Sequence, residues 1–197
     1  MISIFAHRAS YDGFENSLDG IKFYAKENIG IELDLRLNDN GIYMSHDKNK
    51  NHDLFQDACA TLSKYNITVA LHLKEKYILT TTLELINSNN LDNYFLFSTE
   101  NDLPSNLKIA RYVNQEPHIF SETIFWCDET KSSWYDKSII EKLHQKNIKI
   151  IAMSKELIIP CTLNEIHLEW ERLSKLNVDG ICTNHPTELK DMLKTSL

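Results

Sequence analysis

The sequence predicts an α/β chain of the (β/α)8 TIM-barrel class, taken as one domain over residues 1–197. Strand-like segments alternate with helix-like ones along the chain. No glycine-rich phosphate loop follows the first strand, which disfavours an open doubly wound sheet. Chemistry-bearing residues recur at the C-terminal ends of the strand-like segments, where a barrel of this class keeps its working side chains.

In order, residues 2–6 read as a strand, and Asn16 or Ser17 can cap a helix that carries Leu18, Ile21 and Ala25 on one face. Residues 29–37 alternate apolar and charged. Asn38-Asp39-Asn40-Gly41 is a turn sequence, so residues 42–46 return as a near-hairpin. Leu54, Ala58, Leu62 and Tyr65 fit a helix, and residues 67–73 a strand. Leu79, Leu83 and Ile86 fit the next helix, and residues 94–97 form a short apolar strand. The middle carries a weaker pattern, with strands at 108–113 and 123–127 joined by a loop around Pro117. Ile139, Ile140 and Leu143 then mark a helix, 148–153 a strand, Ile166, Trp170 and Leu173 a helix, and 178–182 the last strand.

The chain has 197 residues, room for one sizeable core and little for two. Its formal net charge is -7, with no run of Lys and Arg. Nucleic acid and anionic membrane are therefore disfavoured as main partners, and an anionic substrate must be held by a few local cations or a metal. The first eight residues lack the basic and apolar regions of a signal peptide, and no apolar segment approaches the roughly 20 residues that span a bilayer. Cys59, Cys127, Cys161 and Cys182 are scattered, as in a reduced cytoplasmic protein.

Gly30-Ile31-Glu32-Leu33-Asp34-Leu35-Arg36-Leu37 is the most informative stretch. Period two puts Glu32 and Asp34 on one strand face, roughly 7 Å apart at about 3.3 Å rise per residue. Two close carboxylates repel and are costly to bury without a cation between them, which a hard divalent metal would supply. A solvated outer face of an edge strand is the alternative. His7-Arg8 ends the first strand, His46-Asp47 the return strand, and His72 and Lys74 the third strand. Two histidines, a carboxylate pair, an arginine and a lysine suit phosphodiester cleavage. One imidazole takes a proton, the other gives one to the leaving oxygen, and the cations stabilise developing negative charge. Trp126 and Asp128, near the end of the sixth strand, are candidates to line the substrate pocket; Trp126 as plain core is the alternative. His52, His118, His144 and His167 read as ordinary surface residues, and His185 sits beside the last strand end.

His7-Arg8, Glu15-Asn16-Ser17, Glu32-x-Asp34 and His46-Asp47 together resemble the opening signature of the glycerophosphodiester phosphodiesterase family. Residues 178–186, Val-Asp-Gly-Ile-Cys-Thr-Asn-His-Pro, are similar to that family's last strand. The resemblance implies a (β/α)8 barrel active in lipid metabolism. It implies hydrolysis, dependent on Mg²⁺ or Ca²⁺, of a glycerol-linked phosphodiester to glycerol phosphate and an alcohol. It also implies His7 and His46 as the acid/base pair, Glu32 and Asp34 as metal ligands, and Arg8 and Lys74 as phosphate contacts.

Four departures from that pattern matter. Ala9 stands where the family has glycine, and Phe14 where it has proline. His72-x-Lys74 replaces Glu-x-Lys, so an imidazole stands in for a third carboxylate ligand and tilts the site towards Mn²⁺ or a softer ion. Only a few residues follow Asp47 before the next helix, so the cap insertion is short or missing, which suits a bulky or polymer-linked diester. The competing expectations are a lyase-type relative that releases a cyclic phosphate and a non-catalytic phosphate-binding barrel.

Overall fold

Strands and helices alternate over much of the computed structural model, which describes residues 2–48, 53–99, 103–117, 122–130 and 133–195. In chain order the elements are β1 (Ser3–Ala6), α1 (Leu18–Lys26), β2 (Gly30–Asn38), β3 (Gly41–Met44), α2 (Phe55–Leu62), β4 (Val69–Leu73), α3 (Leu79–Ser88), β5 (Tyr94–Phe97), β6 (Arg111–Val113), β7 (Ile124–Cys127), α4 (Lys137–His144), β8 (Lys149–Met153), α5 (Leu163–Leu176), β9 (Gly180–Thr183) and α6 (Pro186–Thr195). Short 3-10 turns at His7–Ala9 and Lys155–Leu157 follow β1 and β8. The fold class is the expected (β/α)8, with β3 as an added antiparallel strand on β2. Among the described residues no helix separates β5 from β6 or β6 from β7, which is the weakly patterned middle of the sequence.

The chain divides into two compact units. One spans residues 6–108. Its strand order is β5-β4-β2, with β3 on β2. The parallel register sets Glu32 beside Ala70 and Asp34 beside His72. Ile31, Leu33 and Leu35 form the apolar face of β2 and are fully buried. Ser17 caps α1, its Oγ accepting the Gly20 N–H at 3.1 Å, and Ile21, Tyr24 and Ala25 give that helix its buried face.

The other unit comprises residues 1–5 and 109–197, with strand order β1-β9-β8-β7-β6. Phe125, Ile150, Ile181 and Trp170 are buried in one apolar cluster. Thr162 and Glu165 close a capping box at the start of α5, and Trp170 Nε1 donates to Ser154 Oγ at 2.8 Å. Trp126 is buried here and meets Phe5 edge-on at 5.8 Å. Asp128 is also buried, accepting from Tyr112 Oη and from Thr130. His144 is a half-buried partner of Asp179, Nε2 to Oδ2 2.9 Å, and His167 tilts over Trp170, so neither is a plain surface residue. His185 pairs with Glu188 at 3.3 Å. His52 and His118 lie outside the described residues. Cys59, Cys127 and Cys182 are buried free thiols, and Cys161 is half-buried and free. Among the described residues no helix is long and apolar enough to cross a membrane.

Candidate metal centre and active site

Glu32 and Asp34 leave β2 on the same face, as period two requires, and both are buried. The solvated-face alternative therefore fails. The β2–β4 register brings His72 against them. His72 Nδ1 lies 3.1 Å from Asp34 Oδ1 and 4.0 Å from Glu32 Oε1. One ligand atom from each of the three lies within 4.8 Å of the others. The small Ala70 stands beside Glu32 in the same register. His72 is fixed from behind by stacking on Phe97, ring centroids 4.5 Å apart, and its Nε2 lies 3.5 Å from Thr99 Oγ1.

The two carboxylates are held unequally. Asp34 is ringed by donors: Arg8 Nε at 3.4 Å, Lys74 Nζ at 3.6 Å and Asn16 Nδ2 at 3.3 Å. Glu32 accepts one hydrogen bond among the described residues, from the Arg8 backbone N–H at 2.8 Å. Burial, and then the charge of Asp34, push the Glu32 carboxyl well above its ordinary range. Burial works on Asp34 in the same direction. It is outweighed by the hydrogen bond and charge of His72, then by Lys74 and Arg8, which hold that carboxyl below its usual range. Burial lowers the His72 imidazole against the pull of Asp34, and the charges of Lys74 and His46 add to the lowering. A buried carboxylate with one donor, beside a second carboxylate and an imidazole, is a donor set that a divalent cation would complete.

The turn after β1 makes this possible. Arg8 and Ala9 both take left-handed backbone angles, with φ of 51° and 42°, and this turns the Arg8 N–H onto Glu32. Ala9 thus adopts a conformation that glycine holds more cheaply, which is the physical sense of the departure from the family's glycine. Ala9 is fully buried against α1 at Gly20, where a Cβ would sit 2.0 Å from the Ala9 carbonyl oxygen. Gly20→Ala is expected to cost about 3 kcal/mol or more, because backbone must move to admit the methyl. Denaturant unfolding of the variant checks this. The Arg8 guanidinium also meets Glu15 at 3.1 Å, so it bridges Glu15 and Asp34.

Asn16 is the residue that sequence reasoning missed. Ser17 is the helix cap, which frees Asn16 to bracket Asp34 from both sides. Its Oδ1 accepts the Asp34 N–H at 3.0 Å while its Nδ2 donates to the carboxylate. The signal was its place between Glu15 and Ser17, together with the tolerance of asparagine for the left-handed φ of 53° found here.

His7 is half-buried at the start of the turn, one residue before Arg8. His46 follows β3. Its side chain is 40% exposed, with Nδ1 2.9 Å from Asp47 Oδ1. A cleft of about 1140 Å³ opens beside it, lined by Glu15, Asn16, Asp47, Tyr11 and Phe14 among others. Tyr11 and Phe14 face each other across a two-residue turn, Asp12-Gly13, both at positive φ, and Phe14 projects 68% exposed. Residues 48–54 alone separate Asp47 from α2, so the cap is short, as expected. Of the candidates, Arg8, Glu32, Asp34, His72 and Lys74 stand within direct reach of one another. Trp126 belongs to the other unit, packed on Phe5.

The chain shares its fold with glycerophosphodiester phosphodiesterases of known structure. A candidate enzyme of that kind from Galdieria sulphuraria superposes with a TM-score of 0.78 at 18% identity, over 98% of each chain. A glycerophosphoryl diester phosphodiesterase from Parabacteroides distasonis gives 0.75 at 14% identity, over 100% of this chain and 87% of that one. A glycerophosphodiester phosphodiesterase from Agrobacterium tumefaciens gives 0.73 at 15%, over 94% and 97%. No protein-family model and no curated protein sequence matches the chain.

Proposed function

We propose that the chain is a metal-dependent phosphodiesterase of the glycerophosphodiester type, one catalytic domain over residues 1–197. It hydrolyses a glycerol-linked phosphodiester to a phosphomonoester and an alcohol. The observation that carries the reading is the buried Glu32–Asp34–His72 cluster, flanked by two cations, in a fold shared with such enzymes. Glu32, Asp34 and His72 would hold one divalent ion. That ion would neutralise the phosphate's non-bridging oxygens and acidify an attacking water. Arg8 and Lys74 face the same space and offer positive charge as it builds on the phosphate in the transition state. Of His7 and His46, one removes a proton from the attacking water as its oxygen bonds to phosphorus. The other protonates the alcohol oxygen as its bond to phosphorus breaks. The short cap leaves the cleft beside His46 open to a small or polymer-linked alcohol. The free thiols fit a reducing, cytoplasmic setting.

The test is a panel of glycerol-linked phosphodiesters with Mg²⁺, Ca²⁺ and Mn²⁺, read by phosphorus NMR. An open phosphomonoester that disappears in excess chelator is the expected product. A cyclic phosphate would make the chain a lyase, and no turnover with any ion would overturn the reading.

His72 sets which ion is taken. Imidazole in place of a third carboxylate weakens the grip on hard ions, so Mn²⁺ is expected to bind more tightly than Mg²⁺ or Ca²⁺. His72→Glu is expected to tighten Mg²⁺ and Ca²⁺ binding, about 10-fold or more for a restored charged ligand. It also flattens the loss of binding at low pH, which arises because an imidazole ligand must be deprotonated. Calorimetric metal titration of both proteins at two pH values decides this. Equal affinities and equal pH dependence would remove His72 from the ligand set.

A further inference from the structure

We infer that Arg36, anchored by Glu75, is the positioning residue that fixes the His46 turn beside the metal cluster; this rests on the phosphodiesterase reading above. Arg36 follows Glu32 and Asp34 on the same face of β2 and is 9% exposed. Its guanidinium forks onto one carbonyl: Nε and Nη2 both donate to the backbone oxygen of His46, at 3.0 and 2.6 Å. The third nitrogen, Nη1, meets Glu75 Oε1 at 3.2 Å. Glu75 Oε2 in turn accepts the Leu37 N–H at 3.4 Å, so the carboxylate is tied to the strand that carries Arg36.

A buried guanidinium ordinarily seeks a bidentate carboxylate. Here one edge of the fork is given to a carbonyl, and that carbonyl belongs to a proposed proton-transfer residue. Two N–H donors converging on one oxygen fix the plane of the His46–Asp47 peptide. Asp47 then sets the ring through Nδ1. The turn is held on both sides as well: Ser45 N–H donates to Asp34 O at 3.0 Å, and Ser45 Oγ donates to Asp47 O at 2.7 Å. These restraints matter because the His46 ring itself is substantially exposed, with little packing to orient it. Glu75 also follows Lys74, whose own N–H donates to Leu35 O at 3.1 Å. One part-buried ion pair therefore ties the segment that carries Lys74, at the end of β4, to the histidine turn after β3.

Removing the fork frees the turn while leaving the metal ligands in place. In Arg36→Met, kcat for the best diester of the panel is expected to fall about 10–100-fold, the size of effect that small misplacements of a reacting group produce. KM and the affinity for Mn²⁺ alone stay within about twofold. Arg36→Lys keeps the charge beside Glu75 but loses the fork, so it recovers part of the kcat, and Glu75→Gln falls between wild type and Arg36→Met. The readout independent of turnover is the His46 ring resonance in carbon-13 histidine-labelled protein without substrate, assigned with His46→Gln. It shifts or broadens in Arg36→Met while the His72 resonance stays put. Should Arg36→Met fail to fold, Arg36→Lys and Glu75→Gln carry the same comparison. Unchanged kcat with an unmoved His46 resonance overturns the inference, as does a parallel loss of Mn²⁺ affinity. If the wild-type protein cleaves no diester, the functional reading fails, and the resonance still decides whether Arg36 orders His46.

Discussion

Asparagine at position 34 is expected to abolish metal-dependent turnover and to destabilise the metal-free protein; glutamine at position 32 is expected to abolish turnover and to stabilise it. The two acids lie on one strand face, and on the proposed metal site each substitution removes a charged ligand, so both variants are expected to lose the ion. Their effects on folding differ in sign because their surroundings differ. Asp34 sits among Arg8, Lys74, His72 and Asn16. Removing its charge leaves the half-buried Arg8 and Lys74 short of a partner, which costs about 1–3 kcal/mol, less than the loss of a fully buried pair. Glu32 has a single backbone donor and faces Asp34 at close range. Its charge is a burden on the metal-free fold, and Gln can still accept the Arg8 N–H, so a gain of about 1 kcal/mol follows.

The pH dependence carries the same signature. The Asp34 carboxyl is lowered in the folded state, so the stability it contributes is present above its unfolded value and is lost as pH falls through the folded one. The Glu32 carboxyl is raised, so its contribution is present at low pH and is lost as pH rises through its folded value. In chelator, Glu32→Gln should therefore gain most over wild type near neutral pH, and the gain should vanish in acid. Urea unfolding at several pH values, with calorimetric Mn²⁺ titration alongside, measures both. Destabilisation by both substitutions, or retained Mn²⁺ binding in Asp34→Asn, would contradict the assignment.

Much of this site was legible because its candidate ligands sit on strands. Alternation in residues 31–37 alone puts Glu32, Asp34 and Arg36 on one face, and His72 and Lys74 share a face by the same rule. Their proximity depends on the register between β2 and β4, which no local pattern encodes. The turn after β1 was less legible. The consecutive left-handed angles at Arg8 and Ala9 are held by the buried approach to Gly20, a tertiary effect, and the bracket of Asn16 on Asp34 depends on that turn. Arg36 illustrates a different gap. Its place on the charged face was readable, but its reach to the His46 carbonyl depends on where the β3 turn ends. The weakly patterned middle held β6 and β7 as expected, with no helix between them among the described residues, because short strands flanked by irregular segments carry little periodicity.

His46→Gln and His7→Gln are each expected to lose roughly 10²–10⁴ in kcat, the usual worth of a positioned proton-transfer group. Neither supplies an atom to the Glu32–Asp34–His72 cluster, so Mn²⁺ affinity should survive in both. The two variants should differ in their response to the leaving group. His46 borders the open cleft, where a departing alcohol has room, whereas His7 is half-buried beside Arg8. On the proposed mechanism, that arrangement would make His46 the donor to the alcohol oxygen and His7 the acceptor from the attacking water. A diester with a nitrophenyl group departs as a stable anion and needs no donor. His46→Gln should therefore recover most of its lost rate on that substrate, while His7→Gln should not, because the water must still be deprotonated. Rescue of His7→Gln instead would exchange the two roles. Wild-type turnover in both variants would show that the proton transfers belong to other groups, such as water or Lys74.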